Sequence, residues 1–245
     1  MLTQGRPRAA SCTRFAFLAV VVAGLSLIAG CAARRAEPPE RPAAEAPKAL
    51  AIPAGATLFD VDPVRTSIVI RVYRAGPLAR FGHDHVITAR GVSGIVWRGS
   101  DPADSGFELR IPVQSLVVDD PAARAAAGPG FASHVPESAR AGTYQNLLRP
   151  EVLDASRFPE IVVRSSGLGG TWGQPVAIAE ATLKGRSHRI DVPLAISRAG
   201  TLLTARGAVR IRQTDFGMTP FSVAGGAIEV ADDVDVGFEI AATAR

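Results

Sequence analysis

Residues 64–74 read VRTSIVIRVYR. In an extended chain successive side chains point to opposite faces, so Ile68, Ile70 and Val72 share one side and Ser67, Arg71 and Tyr73 the other. That alternation predicts a strand with one buried face. The pattern recurs: Phe107, Leu109 and Ile111 alternate with Glu108 and Arg110, and Ile190, Val192, Leu194 and Ile196 with Asp191, Pro193 and Ser197. Val209 and Ile211 alternate with Arg210 and Arg212, and Val234, Val236, Phe238 and Ile240 with Asp233, Asp235 and Glu239. Turn signals at 99–102, 167–170, 199–200 and 225–226 separate the runs. An all-β, mainly antiparallel sheet with one apolar face follows. Two short helices interrupt it. Asp119, Asp120 and Pro121 open an Ala-rich stretch closed by Gly128, the order of cap, first-turn proline and terminal glycine. A second helix is predicted over 137–148, stopped by Arg149-Pro150.

The run 64–74 breaks at Gly76-Pro77 and resumes at Val86, and the join contains FGHDHVI at 81–87. His83 and His85 stand two apart and share a face, with Asp84 opposite. A loop at a sheet end is where a scaffold carries binding groups, and these three supply donors and acceptors close together. A head group of a bound amphiphile is one use for them. A metal or haem is the alternative, but two imidazoles fall short of the three or four protein donors that zinc and most transition metals take. His134 and His188 are the remaining histidines that could complete a set. A turn whose polar groups bond only backbone is the third reading.

Arg6, Arg8 and Arg14 precede an apolar run from Phe15 to Ala29, the pattern of a secretory signal over 1–30. The run ends in LIAG before Cys31 and resembles a bacterial lipobox, which implies cleavage before Cys31 and acylation of its thiol. Ala32 rather than Asp follows, which for such proteins implies sorting to the outer membrane, on its periplasmic face. Cys12 lies within the leader, so Cys31 is alone in the mature chain and no internal disulfide forms. Each buried acyl CH₂ contributes about 0.8 kcal/mol, so an acyl anchor holds a protein at a membrane without a spanning helix. Residues 31–55, rich in Ala and Pro, read as a tether, and the globular domain as 56–245.

Composition excludes some functions. The formal charge is +4, and taking away the three leader arginines leaves +1, with no basic stretch interleaved with aromatics. Nucleic acid is not an expected partner. The chain has no GxSxG elbow, HExxH pair or phosphate-binding glycine loop, so no catalytic residues and no cofactor are expected.

Five landmarks in order carry a resemblance: the strand 64–74, FGHDHVI, FPEIVVRSS at 158–166, LKG at 183–185, and QTDFGM at 213–218. From about Thr57 onward the chain resembles the YceI-like family of bacterial periplasmic lipid-binding proteins. It departs from the common pattern at Gln213, where many members have Arg, and in 133–149, where an Asp-His-Leu stretch is usual. The resemblance implies a lipocalin-like β-barrel of about eight strands with one or two short helices inserted, enclosing an apolar cavity. It also implies a non-catalytic carrier of a long-chain amphiphile such as a polyisoprenoid or quinone precursor. On that basis Ile68, Ile70, Val72, Phe107, Leu109, Ile111, Val192, Leu194, Val209, Ile211, Val236 and Phe238 are candidates for the cavity wall, and His83, Asp84 and His85 for the head group. A structural envelope module without ligand remains the alternative.

Overall fold

The structure, a computed structural model, describes residues 50–245. The expected leader 1–30, the lipidation site Cys31 and the tether as far as residue 49 lie outside the described residues. The strands in order are β1 Thr57–Val61, β2 Ser67–Ala75, β3 His85–Thr88, β4 Ser93–Arg98, β5 Gly106–Pro112, β6 Val117–Val118, β7 Glu160–Ser165, β8 Leu168–Thr171, β9 Gln174–Leu183, β10 Arg186–Pro193, β11 Ala195–Ala199, β12 Leu202–Arg212, β13 Ser222–Val223 and β14 Ile228–Ala244. Helices α1 (Pro121–Ala126) and α2 (Glu137–Leu148) fall between β6 and β7.

The fourteen strands form one antiparallel sheet, but many are halves of longer runs. Twelve of them fall in eight runs, 57–75, 85–98, 106–118, 160–165, 174–183, 186–199, 202–212 and 228–244, and the short β8 and β13 pair with β9 and β14. The breaks have local causes. Asp62 ends β1 by accepting the amides of Val64 and Arg65 at 2.9 and 3.2 Å. Thr66 starts β2, its hydroxyl accepting the Ala241 amide at 3.1 Å. Across that break the chain stays on β14 while its other neighbour changes from β4 to β3.

Ladders then pass round the molecule, from β4 to β5, β5 to β7, β7 to β9 and β9 to β10. The run 186–199 hands over at Leu194, whose amide still bonds Pro175 of β9 at 2.9 Å. The next residue, Ala195, faces Arg206 of β12. From β12 the ladder returns to β14. No ladder joins β10 to β12, so the sheet is not closed there. The result is the expected lipocalin-like all-β architecture with one unpaired stretch of wall.

The long β14 fixes which face points inward. Val234, Val236 and Phe238 stand opposite Val72, Ile70 and Ile68 on β2, and on the other side opposite Ile211, Val209 and Gly207 on β12. These side chains join the interior. The alternate positions carry exposed ion pairs, Arg206 with Glu239 and Arg210 with Asp235.

Three of the sequence landmarks meet at one corner. Gly185 of LKG has φ +71°, and a Cβ there would come 2.5 Å from the Phe158 ring of FPEI, so only glycine lets that ring lie against the β9–β10 turn. Lys184 donates to Gly217 O of QTDFGM at 2.9 Å. The same motif drives Phe216 into the barrel with no exposed surface. In the helical insertion α2 spans the residues the sequence predicted and packs Tyr144, Leu147 and Leu148 on the core. At α1 the cap is Asp120, which accepts the amides of Ala122 and Ala123 at 3.0 and 3.1 Å. Asp119 does not cap the helix, and its carboxylate turns into the protein.

Candidate functional site

Between β4, β5, β9, β10, β12 and β14 the side chains leave an apolar cavity with ≈ 160 Å³ open to the centre of a water molecule. One water needs about 10–15 Å³ on that measure, so the barrel is not packed solid here. Among the expected wall residues, Ile68, Phe107, Leu109, Ile111, Val192, Leu194, Val209, Val236 and Phe238 line it. Small residues keep it open: Ala177 and Ala179 of β9 and Ala205 of β12 face inward where a larger side chain would fill the space.

One charged side chain lines this cavity, Arg98 at the end of β4. Its guanidinium lies 4.0 Å from the ring centroid of Trp172. Among the described residues it has no carboxylate partner and no hydrogen bond to protein. Trp97 lines the same cavity, is 1% exposed, and carries an indole N–H with no partner. Sequence reasoning overlooked both residues. The alternation of Val96 with Arg98, ending at Gly99–Pro102, is the signal that could have placed Arg98 on the inward face.

A second cavity, with ≈ 240 Å³ on the same measure, lies toward the other end of β14. Val72, Ile87, Thr143, Asn146, Gln213 and Glu229 line it together with His83 and His85. No residue lines both cavities. Between them lies packed core: Phe216, Ile161, Leu183 and Val234, with Ile70 and Ile211 against them. Those last two were expected on the wall of the ligand cavity and are instead core, while Val72 belongs to the second cavity.

The FGHDHVI stretch is held by charge-assisted hydrogen bonds. His85 Nδ1 donates to Asp119 Oδ2 at 2.6 Å, and Asp119 Oδ1 accepts from the Val86 amide at 2.9 Å and from Arg124 Nη1 at 2.6 Å. Arg124 also donates to Asp84 O at 2.8 Å and Ser133 O at 2.9 Å. Burial works to raise the Asp119 carboxyl, but the bonds from His85, Val86 and Arg124 outweigh it and hold the group below the ordinary carboxylate range. Asp84 accepts the Arg74 amide at 2.9 Å and does not line the cavity. Thr143 Oγ1 stands 3.4 Å from His85 Nε2. Hydroxyl, imidazole and buried carboxylate are thus in line, but Asp119 is already engaged by Arg124 and Val86. The row ties α2 to the sheet.

The YceI-like domain model matches residues 59–242, three quarters of the sequence. The chain belongs to the YceI-like family. Among solved structures, this YceI-like chain is similar to Burkholderia cenocepacia BcnA at 18% identity and a TM-score of 0.53, over 75% of this chain and 99% of that one. A Campylobacter jejuni YCEI protein aligns at 13% identity and a TM-score of 0.46, over 65% of this chain and 84% of that one. No curated protein matches the chain. At 18% identity the likeness to BcnA shows the fold alone.

The other histidines of this YceI-like domain do not gather at His83 and His85. His134 is exposed, and His188 packs edge-on against Phe216, 3.9 Å from Asp215. Among the described residues no three His, Cys, Asp or Glu stand together as metal ligands would. Gln213, the departure from the common family pattern, donates to Ala231 O at 2.8 Å on the rim of the second cavity.

Proposed function

We propose that this YceI-like protein is a non-catalytic envelope lipoprotein that carries the hydrocarbon tail of a long-chain amphiphile in the cavity between β5, β9 and β12. The observation that carries the reading is the cavity itself. It has an almost wholly aliphatic and aromatic wall, held open by inward-facing alanines, whereas the second cavity is lined by several polar side chains. Burial of apolar ligand surface yields about 25 cal/mol per Å², so a chain binds there with few polar contacts. Polyisoprenoids and polyprenyl quinone precursors, the ligands that the family resemblance implies, have tails of this kind. The lipobox-like LIAG before Cys31 supports an acyl anchor and an outer-membrane location on the periplasmic side. The 24 residues that follow the anchor, up to the start of the domain, supply reach.

The test is organic extraction of the purified full chain followed by mass spectrometry, beside the same protein with Ala179→Leu, which fills the cavity. A reproducible amphiphile in the first sample and its loss from the second is the expected result. An empty extract, from protein that also takes up no added hydrocarbon, would sink the reading. Cys31→Ser is expected to release the protein from the membrane fraction, and an unmodified thiol in the wild type would overturn the anchor.

A further inference from the structure

We infer that the apolar cavity is built for an amphiphile with an acidic head, a carboxylate or phosphate, bound by Arg98 at the Trp172 end of the barrel and not by the histidines. The inference rests on the reading that this cavity holds a hydrocarbon tail. It adds the chemistry of the head and the end at which it sits.

Two observations carry it. Arg98 is the one ion among the residues lining an aliphatic wall, and its guanidinium reaches no acceptor among the described residues. A guanidinium offers a rigid fork of N–H donors matched to two oxygens of a carboxylate or phosphate, and beside an apolar wall that attraction is stronger than in open water. Second, the stack on Trp172 holds the group in place, and Trp172 is itself fixed by donating to Ser100 O at 2.9 Å.

At the other end His83 and the buried Arg140 Nε have no protein partner among the described residues, but the group nearest the sheet is engaged. His85 Nδ1, both oxygens of Asp119 and the guanidinium of Arg124 bond one another. Packed core separates them from this cavity.

The chain's two tryptophans, Trp97 and Trp172, both line this cavity, and neither lines the cavity of the histidines. Their fluorescence therefore reports occupancy of one site. The full chain would be titrated with tetradecanoate, tetradecyl phosphate and tetradecanol, which share a tail and differ in the head. In the wild type at least one acid should bind at least about tenfold more tightly than the alcohol, and the tighter of the two acids names the head. Arg98→Ala should abolish that preference and leave tetradecanol unchanged. Arg98→Lys should restore part of it, and His83→Ala should leave it intact.

Equal binding of acids and alcohol by the wild type would overturn the inference while leaving the tail site standing. A preference that survives Arg98→Ala, or one that vanishes with His83→Ala, would overturn it in the same way. Failure of all three probes to perturb either tryptophan would overturn the inference together with the cavity reading beneath it.

Discussion

The two ends of the barrel treat polar groups in opposite ways. At the histidine end, Asp119 gathers His85, Arg124 and the Val86 amide into one bonded group, with only Arg140 Nε and His83 left outside it. At the other end Arg98 borders an aliphatic cavity with no carboxylate partner among the described residues. A satisfied network stabilises and orients the chain, whereas an unsatisfied donor is a loss that persists until something binds. By this criterion the cluster richest in titratable side chains is structural, and the sparsely polar end is where ligand chemistry resides.

Four substitutions would break or sharpen that contrast. The largest effect is expected from Asp119→Asn. Removing one partner of a buried ion pair leaves the Arg124 charge uncompensated, at a cost of about 3–5 kcal/mol, measured by denaturant unfolding at neutral pH. The same variant tests the pH dependence. The Asp119 carboxyl is held below its ordinary range in the folded state. Its contribution is therefore complete above the unfolded carboxylate value and lost as pH falls through the folded one. The wild type should lose stability below about pH 4, and Asp119→Asn should lose less over the same interval. A variant as stable as the wild type would remove the structural role of this end.

Next comes His85→Ala, which leaves Asp119 Oδ2 without its donor and should cost about 1–3 kcal/mol in the same unfolding measurement. A stable variant with impaired ligand binding would reverse the assignment and return the histidine to the ligand. Ala179→Leu projects into the apolar cavity. Titration with a hydrocarbon-tailed probe should show affinity lower by at least tenfold, or about 1.4 kcal/mol, with the melting temperature kept because the added methyl groups enter existing space. The smallest effect is expected from His83→Ala. His83 has no hydrogen bond to protein among the described residues, and its loss should change stability by less than about 0.5 kcal/mol in thermal unfolding.

The alternation in VRTSIVIRVYR was enough to show a strand with one apolar face, but which sheet face lines the cavity came only from the pairing of β14. The same logic located β5, β10, β12 and β14, and Pro150 bounded α2. What the alternation could not supply is depth along a strand. Ile68, Ile70 and Val72 share a face, yet Ile68 lines one cavity, Ile70 is core and Val72 lines the other, since Phe216 enters between them from a turn 140 residues away. Asp119 was hidden in another way. Standing beside Asp120 and Pro121 it reads as part of a helix start, and its true partner is 34 residues earlier. Arg98, just before the turn at 99–102, drew no attention in the sequence, and only the fold sets it beside Trp172.

The unpaired stretch between β10 and β12 gives the barrel a seam. Parting β10 from β12 breaks no ladder hydrogen bond. The inward side chains bordering the seam, Ile190, Val209 and Ile211, are only half-buried, while Leu109 and Ile111 across the interior are fully buried. On the proposed reading, a bulkier tail would be admitted by sideways expansion along this seam, with the ladders of β12 to β14 and β9 to β10 left whole.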